Sequence, residues 1–361
     1  MAEARFLVDS YRDWTRGEGI PVYEDFGFDL LTVDLRPWPR LGANGAFALV
    51  NGRGDFLDTY VLEIRPGGET VPQRHLFEEV VYVIDGRGST TIEAPDGTQR
   101  SFEWGPKSLF ALPLNMRYQH FNGSGSRPAR LVATTNLPMM INSFHNLDFI
   151  FDNPFQFPER LGPEPHFGGD GNFIPMRPGR HMWETNFVPD LSTFELREWK
   201  ARGAGGSNIM FVLSDGTMHA HMSEMPVGTY KKGHRHGADF HIFPVTGHGY
   251  TLLWYEGDAD FTRVDWQHGT VYAPPDRMYH QHFNTSPEPA RYLAVALGGL
   301  RYPFVEDKRR TFMGMDVSVK EGGRQIEYED QDPRIHAMYT DELGKRGSEP
   351  RMNQFVTAAA R

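Results

Sequence analysis

The 361-residue chain contains no cysteine. This absence excludes disulfide bonds, iron–sulfur clusters, thiolate zinc sites and cysteine nucleophiles, so any bound metal ion has to take nitrogen or oxygen ligands. Long apolar runs are also missing, and no segment approaches the roughly 18 unbroken apolar residues that a membrane-spanning helix needs. The first residues, Met1–Arg5, include an acidic side chain and lead into no apolar core of signal-peptide length. We therefore expect a cytoplasmic protein that does not enter a membrane.

Basic side chains are in deficit, with 37 lysines and arginines against 47 aspartates and glutamates, which gives a formal net charge of −10. Because an acidic surface repels phosphate groups, binding to nucleic acids or to anionic membranes is not expected. Glycine and proline are plentiful, with 38 and 26 copies. That composition favours short strands joined by many turns over long helices.

The chain repeats its own landmarks at a separation of about 160 residues, a distance that indicates duplication of a whole domain. The landmarks of the first copy include Pro66, His75, Gly86, Pro113, His120 and Arg130. The matching residues of the second copy are Pro226, His236, Gly247, Pro275, His282 and Arg291. Within each copy, short β-branched and aromatic runs alternate with turn residues, which predicts a β-sandwich or small barrel of about a hundred residues.

The repeat divides the chain into five predicted parts. These are an N-terminal arm (residues 1–45) with a helix over 4–16, a first barrel (46–145), a packed connection (146–206), a second barrel (207–302) and a charged C-terminal extension (303–361). A second helix is predicted around Asp332–Lys345, because Asp332 suits an N-cap and Pro333 suits the first helical position.

Four histidines of the second copy are spaced like metal ligands: His234, His236, His241 and His280. Neutral imidazole is the commonest protein ligand for divalent transition metals, and residues two apart on a strand point to the same face. Burying an imidazole costs about 1–3 kcal/mol unless it is partnered, and a shared ion would partner all of them. We therefore predict that these side chains bind one divalent transition-metal ion inside the second barrel.

With these motifs the chain resembles the cupin superfamily, and specifically its two-domain members, the bicupins. The resemblance rests on the paired histidines of the first motif and on the second motif, namely His234, His236, Gly269, Pro275, His280 and Asn284. It implies an all-β fold of two tandem cupin barrels (double-stranded β-helix, jelly roll). The superfamily includes dioxygenases, decarboxylases, isomerases, lyases and storage proteins, so the fold alone does not select a reaction.

Two positions of the second copy depart from that pattern. His241 stands where the family usually has a glutamate ligand, although aligning the two copies places Phe240 opposite Glu79 of the first copy. Arg277 replaces the glycine of the second motif.

Further residues of the second barrel are predicted to surround the metal. His282 shares strand parity with His280, which makes it an additional ligand or a proton-transfer group. Tyr279 and Arg277 are candidates for a place beside the ion. Arg277 would there pair with a substrate carboxylate, and the alternative for this loop residue is an exposed surface arginine. The predicted walls of the substrate pocket are Tyr230, Phe240 and Trp254.

The first copy has a weaker metal pattern. His75, Glu79 and His120 match a site of two histidines and one carboxylate, the arrangement of many non-haem Fe(II) oxygenases. However, Gln73 and Tyr118 occupy the other ligand positions, and amide and phenol groups are weak ligands for such an ion. The competing interpretation is that this barrel serves only as a structural domain.

An all-histidine site leaves the metal its full positive charge, which favours an anionic substrate that chelates the ion. The resemblance to gentisate-dioxygenase-like cupins suggests Fe(II) and O2, so the leading hypothesis is a dioxygenase for small aromatic or diketone-like anions. One alternative is a non-oxidative lyase, decarboxylase or isomerase that uses Mn, Ni or Zn, and Cu also accepts imidazole. Another is a non-catalytic protein that binds a small molecule. The resemblance further implies a homodimer.

Overall fold

The structure is a computed structural model that describes residues 7–177, 180–237, 240–299, 301–302, 316–353 and 355–356. Residues 4–6 of the predicted first helix and residues 303–315 of the predicted extension lie outside the described residues. Within the described ranges, no helix combines the length and apolar character that crossing a membrane requires.

The first half of the chain forms a barrel from a large sheet and a three-stranded sheet. Its strands are β1 (Val22–Asp25), β2 (Gly27–Asp29), β3 (Arg36–Trp38), β4 (Ala43–Val50), β5 (Asp58–Ile64), β6 (Glu79–Asp85), β7 (Gly88–Glu93), β8 (Gln99–Trp104), β9 (Leu109–Ala111), β10 (Arg117–Asn122) and β11 (Ala129–Thr135). The large sheet runs β1-β4-β5-β11-β6-β9, with β3 beside β4, and the small sheet runs β10-β7-β8. Both sheets contribute to one apolar core, which contains Phe47 of β4, Phe102 of β8 and Phe110 of β9.

The second half repeats this order and adds one strand, β12, at the edge of its large sheet. Its strands are β12 (Asn172–Arg177), β13 (Arg180–Thr185), β14 (Phe187–Val188), β15 (Arg197–Glu198), β16 (Ser207–Leu213), β17 (His219–Met225), β18 (Phe240–Thr246), β19 (His248–Trp254), β20 (Thr262–Gln267), β21 (Thr270–Tyr272), β22 (Tyr279–Asn284) and β23 (Ala290–Ala296). The large sheet runs β12-β13-β16-β17-β23-β18-β21, with β15 beside β16, and the small sheet runs β20-β19-β22. The predicted all-β fold of two tandem cupin barrels is therefore confirmed.

Each barrel is completed by a strand from the segment that precedes the other barrel in the chain. Strand β2 of the N-terminal arm pairs with β21 of the second barrel, where Phe28 lies opposite Val271. Strand β14 of the connection pairs with β9 of the first barrel, where Phe187 lies opposite Phe110. The sheets therefore reach beyond the predicted barrel boundaries, and the duplication includes the arm and the connection.

The two barrels pack against each other through their large sheets. The apolar cluster between them contains Val61 and Val80 of the first barrel together with Phe211 and Phe243 of the second. Because this face of each sheet is covered by the other barrel, the strands there are apolar on both faces, as their near-continuous burial shows.

Helices cover the outside of the barrels. They are α1 (Ser10–Gly17), α2 (Leu137–Phe144), α3 (Leu147–Phe151) and α4 (Pro333–Lys345), with 3-10 turns at Pro158–Arg160, Glu164–Phe167, Lys200–Arg202 and Val319–Glu321. Helix α4 begins as predicted, since the Asp332 carboxylate accepts a hydrogen bond from the Arg334 amide at 2.8 Å. Its buried residue Tyr339 donates a hydrogen bond to the Asn284 carbonyl at 2.6 Å. The charged extension is thereby attached to the second barrel.

Candidate metal centre

Three buried histidines, His234, His236 and His280, come together inside the second barrel. His280 lies on β22, while His234 and His236 lie in the extended segment before β18. Reciprocal backbone hydrogen bonds join the His234 and His280 backbones, at 3.1 and 2.8 Å. One ligand nitrogen from each of the three rings lies within 4.8 Å of the others. The structure therefore forms the three-histidine part of the predicted ligand set.

Hydrogen bonds orient two of these rings as metal ligands. The Nδ1 atom of His236 lies 2.7 Å from the Gly237 carbonyl, and Nδ1 of His280 lies 3.3 Å from the Met278 carbonyl. A carbonyl only accepts, so each Nδ1 carries the proton and the lone pair is on Nε2. This arrangement is typical of histidines that bind a metal through Nε2. The donor set thus fits a divalent transition-metal ion.

The third ring, that of His234, has a cationic neighbour. The Arg202 Nη2 atom lies 2.6 Å from Nδ1 and 3.1 Å from Nε2 of His234. Burial, and next the charge of Arg202, lower the pKa of His234 well below its usual range. Burial, and next His236, do the same to the pKa of His280. These two rings are therefore neutral around pH 7. His280 keeps its Nε2 lone pair for a ligand, whereas the lone pair of His234 faces the Arg202 guanidinium, which only donates.

His241 does not join this cluster, and its prediction as the fourth ligand is wrong. Its Nδ1 lies 2.6 Å from the Thr59 hydroxyl of β5, in the interface between the barrels. Burial lowers the pKa of this imidazole to about 3. Successive residues of a strand face opposite sides of the sheet, so Phe240 points inward. Its ring centroid lies 4.0 Å from that of His236. The alignment that places Phe240 opposite Glu79 is the correct one, since these residues begin β18 and β6.

Replacing His241 by alanine is expected to leave metal binding unchanged while lowering stability. The variant removes the hydrogen bond to Thr59 and opens a cavity between the barrels, which costs about 2–4 kcal/mol. Two measurements check this: the metal content per chain after loading with Fe(II) or Mn(II), and the free energy of unfolding in urea. His236→Ala, which removes a member of the cluster, is the matched control and is expected to lose the metal. Loss of metal from the His241 variant would restore His241 as a ligand.

His282 lines the same cavity but is not part of the metal-spaced group among the described residues. Its Nδ1 lies 2.8 Å from the Thr251 hydroxyl and 3.2 Å from the Tyr272 hydroxyl. Its ring centroid is 5.5 Å from that of His280. The structure therefore gives His282 a place beside the cluster, as the strand parity predicts.

Four other predicted site residues do not line the cavity. Tyr279 and Trp254 are stacked, with centroids 5.6 Å apart, and belong with Tyr230 to the apolar cluster beneath α4. Tyr279 precedes His280 on β22, so the two side chains lie on opposite faces of the sheet. Arg277 is exposed on the loop and beside Asp276, with φ +59° in the left-handed region. Glycine adopts that conformation more readily than other residues. The exposed Arg277 side chain agrees with the surface alternative and not with the carboxylate-binding role.

The cavity contains three basic side chains that the sequence did not reveal: Arg180, Arg202 and Lys231. All three are at most 3% exposed. The Arg180 guanidinium carbon lies 3.6 Å above the Trp199 ring, and Lys231 Nζ lies 5.1 Å from the centre of the Tyr292 ring. No carboxylate of the described residues lines the cavity, whose volume is about 30 Å³. The part of the lining that the structure describes is therefore basic.

The three predicted ligands of the first barrel form a hydrogen-bonded network instead of a metal-spaced group. The Tyr118 hydroxyl lies 3.0 Å from His75 Nε2 and 3.3 Å from the Glu79 carboxylate, and His75 Nε2 itself lies 3.3 Å from that carboxylate. His120 Nδ1 lies 2.7 Å from the Thr90 hydroxyl. Among the described residues, metal-ligand spacing occurs only in the second barrel. The described residues of the first barrel thus favour the structural interpretation, with Tyr118 in the place of a third histidine.

Burial and the neighbouring charges together shift the pKa values of Glu79 and His120 in this network. Burial acts to raise the pKa of Glu79, but the hydrogen bond and charge of His75 outweigh it and hold the pKa below its usual range. Burial lowers the pKa of His120 to about 4, against the opposing charge of Glu79. The carboxylate and its neighbours are thus partnered within the protein, as in a structural core.

No protein-family model matches the chain, and no curated protein matches it either. Solved structures of oxalate decarboxylase from Bacillus subtilis are similar to it. One, determined at pH 4.6, is 14% identical over 76% of this chain and 77% of that chain, with a TM-score of 0.49. Another, from work on the Mn(II) centres of that enzyme, is 15% identical over 82% and 85%, with a TM-score of 0.49. These likenesses are too distant to assign an activity. By its own strand order and paired sheets, the chain is a two-domain protein of the cupin fold.

Proposed function

We propose that the protein is a metal-dependent enzyme for a small chelating acid with at least two negative charges. The observation that carries this proposal is the cavity itself, where three histidines and three basic side chains meet with no lining carboxylate among the described residues. A bound divalent ion would add two further positive charges. A dianionic substrate is the ligand whose charge is complementary to this basic lining.

The reaction that the positively charged lining of the cavity favours is the non-oxidative cleavage of a C–C bond, such as decarboxylation. When bound, the ion would act as a Lewis acid on substrate oxygens. Arg180 and Arg202 line the cavity and would bind a carboxylate and the oxygen on which charge accumulates as the bond breaks. The electron pair stays on the retained fragment, and a proton has to reach that carbon.

Lys231 lines the cavity and would deliver this proton. Burial, and next the charge of Arg202, lower the pKa of its ammonium group well below the usual range. Such a shift brings a lysine closer to the working range of a general acid. His282 lies in the same cavity and provides a second proton-transfer group.

Lys231→Met is expected to lower kcat by about 100-fold, the usual contribution of a general acid, with metal content unchanged. The adjacent Lys232 forms an ion pair with Glu327 and does not line the cavity. Lys232→Met is therefore the matched control and should keep its kcat. Equal activity of both variants would remove Lys231 from the mechanism.

A dioxygenase remains the second candidate function. Three protein ligands leave open coordination positions on an ion, which would accept both a chelating substrate and O2. Iron(II) is the expected metal for this reaction, whereas the non-oxidative reaction is compatible with Mn, Ni or Zn.

Turnover under strict anaerobiosis separates the two functions. Protein loaded with Mn(II) or Fe(II) is incubated with oxalate, malonate, oxaloacetate and acetylpyruvate, and CO2 release and acid consumption are followed. Conversion at the same rate without O2 is the expected result. Conversion that stops without O2, with one O2 consumed per substrate in air, would establish the dioxygenase. Failure of every acid to bind the metal-loaded protein would overturn the proposal of an anionic substrate.

A further inference from the structure

The C-terminal extension contacts the segment that carries the metal-spaced histidines. The Arg235 amide donates to the Arg324 carbonyl at 3.2 Å, and the Ile326 amide donates to the Gly233 carbonyl at 2.8 Å. Between these bonds, Gln325 lies directly opposite His234 in an antiparallel bridge. The extension therefore adds a strand-like edge to the site.

Gln325 is 1% exposed, and its side-chain amide is fully oriented. Its Nε2 donates to the Ala201 carbonyl at 3.1 Å and to the Glu327 carboxylate at 2.9 Å. Both partners only accept, so the amide oxygen has to point the other way. There it accepts a hydrogen bond of 2.7 Å from Nη1 of Arg202.

Arg202 connects this amide to the ligand cluster. One of its terminal nitrogens is bound to Gln325, and the other lies against the ring of His234. Arginine has a long, flexible side chain, and a planar guanidinium fixed at one nitrogen has few remaining orientations. Gln325, more than a hundred positions later in the chain, therefore contributes from outside the barrel to the position of Arg202 in the cavity, together with His234 and Trp199.

We propose that Gln325 is a positioning residue that acts through Arg202, and that it sets the affinity of the metal-loaded site for an anionic substrate. Without the amide oxygen, Arg202 keeps its charge but loses its fixed direction toward the cavity. The proposal rests on the anion-binding function proposed above. It makes the C-terminal extension a part of the site.

Malonate serves as the probe, and its affinity is measured by titrating the visible spectrum of the Co(II)-loaded full-length protein. Gln325→Leu is expected to weaken malonate binding by about tenfold, the scale of one hydrogen bond to a charged group, at unchanged cobalt content. Gln325→Asn keeps a polar side chain in the buried position but is one methylene too short to reach Arg202. The same loss is expected for it, so the test does not depend on the folding of the leucine variant.

A double-mutant cycle distinguishes positioning from a general structural effect. Arg202→Met is expected to weaken malonate binding more than either Gln325 variant, and adding Gln325→Leu to it should change nothing further. Gln331→Leu is the matched control, since this buried glutamine of the extension binds the Tyr230 hydroxyl at 2.7 Å instead of Arg202. Its malonate affinity should equal that of the wild type.

These measurements distinguish failure of the positioning role from failure of the proposed anion-binding function. Wild-type affinity in the Gln325 variants would overturn the positioning role, as would a full effect of Gln325→Leu in the Arg202→Met background. Absence of malonate binding by the cobalt-loaded wild type would instead overturn the proposed anion-binding function.

Discussion

Replacing His280 by alanine is expected to lower the affinity for a divalent transition-metal ion by at least about 100-fold, because loss of a direct ligand should exceed the 10–100-fold cost of losing an outer hydrogen bond to a ligand. His280 lies between the other two rings of the cluster, with centroids 4.1 Å from His234 and 4.5 Å from His236. Its removal leaves two imidazoles, too few to hold the ion against water and competing ligands. Competition with a chelating dye measures the dissociation constant.

Thermal unfolding provides a second measurement of the same change. An ion that binds only the folded state stabilises it by about 2.7 kcal/mol at a concentration one hundred times its dissociation constant. The wild type should therefore gain stability when the metal is added, and the His280 variant should gain almost none. His248→Ala is the control, because this histidine lies outside the cluster, beside Arg346 at 3.0 Å. Equal metal affinity of wild type and His280→Ala would place the ion elsewhere.

Replacing Glu78 by alanine is expected to destabilise the protein by about 3–5 kcal/mol, the range for breaking a buried ion pair. The Glu78 carboxylate is 10% exposed and accepts a hydrogen bond from Arg160 at 2.6 Å. It also accepts the backbone amides of Thr217 and Met218 in the second barrel, at 2.8 and 2.7 Å. The variant leaves these two amides and the guanidinium without their acceptor.

Urea unfolding of the metal-free protein checks the magnitude of this loss. The exposed pair of Glu256 and Arg235, at 3.0 Å, is the matched control. Glu256→Ala should cost less than about 1 kcal/mol, because water screens exposed charges. A similar small effect for Glu78→Ala would show that the carboxylate does not hold the barrels together.

Several features of the fold were predictable because they depend on spacing along the chain. The repeat at a constant separation predicts two equivalent barrels, and alternation of strand residues predicts that His234, His236 and His280 share an interior. The same locality explains the error at His241. A shift of one residue in register moves a side chain to the other face of the sheet, and the two copies disagreed by one residue at that position.

Other features depend on contacts between distant parts of the chain, which no local pattern records. Arg180 and Arg202 come from the segment predicted as a connection, and Gln325 comes from the C-terminal extension. Their assembly follows from how the barrels and the extension pack, and each side chain by itself resembles an ordinary surface residue in the sequence. The same holds for Tyr118, which fills the centre of the first barrel and partners Glu79.

The amino-acid sequence by itself determined the all-β duplicated architecture and the three histidines of the metal centre, since strand periodicity and motif spacing are local properties of the chain. Tertiary structure alone decided the charge of the cavity around them. The basic groups, the inward Phe240 and the outward His241 are placed by packing between elements far apart in sequence. For that reason the histidine cluster is readable from the sequence, while the basic side chains on which the proposed anion binding rests come together only when the chain is folded.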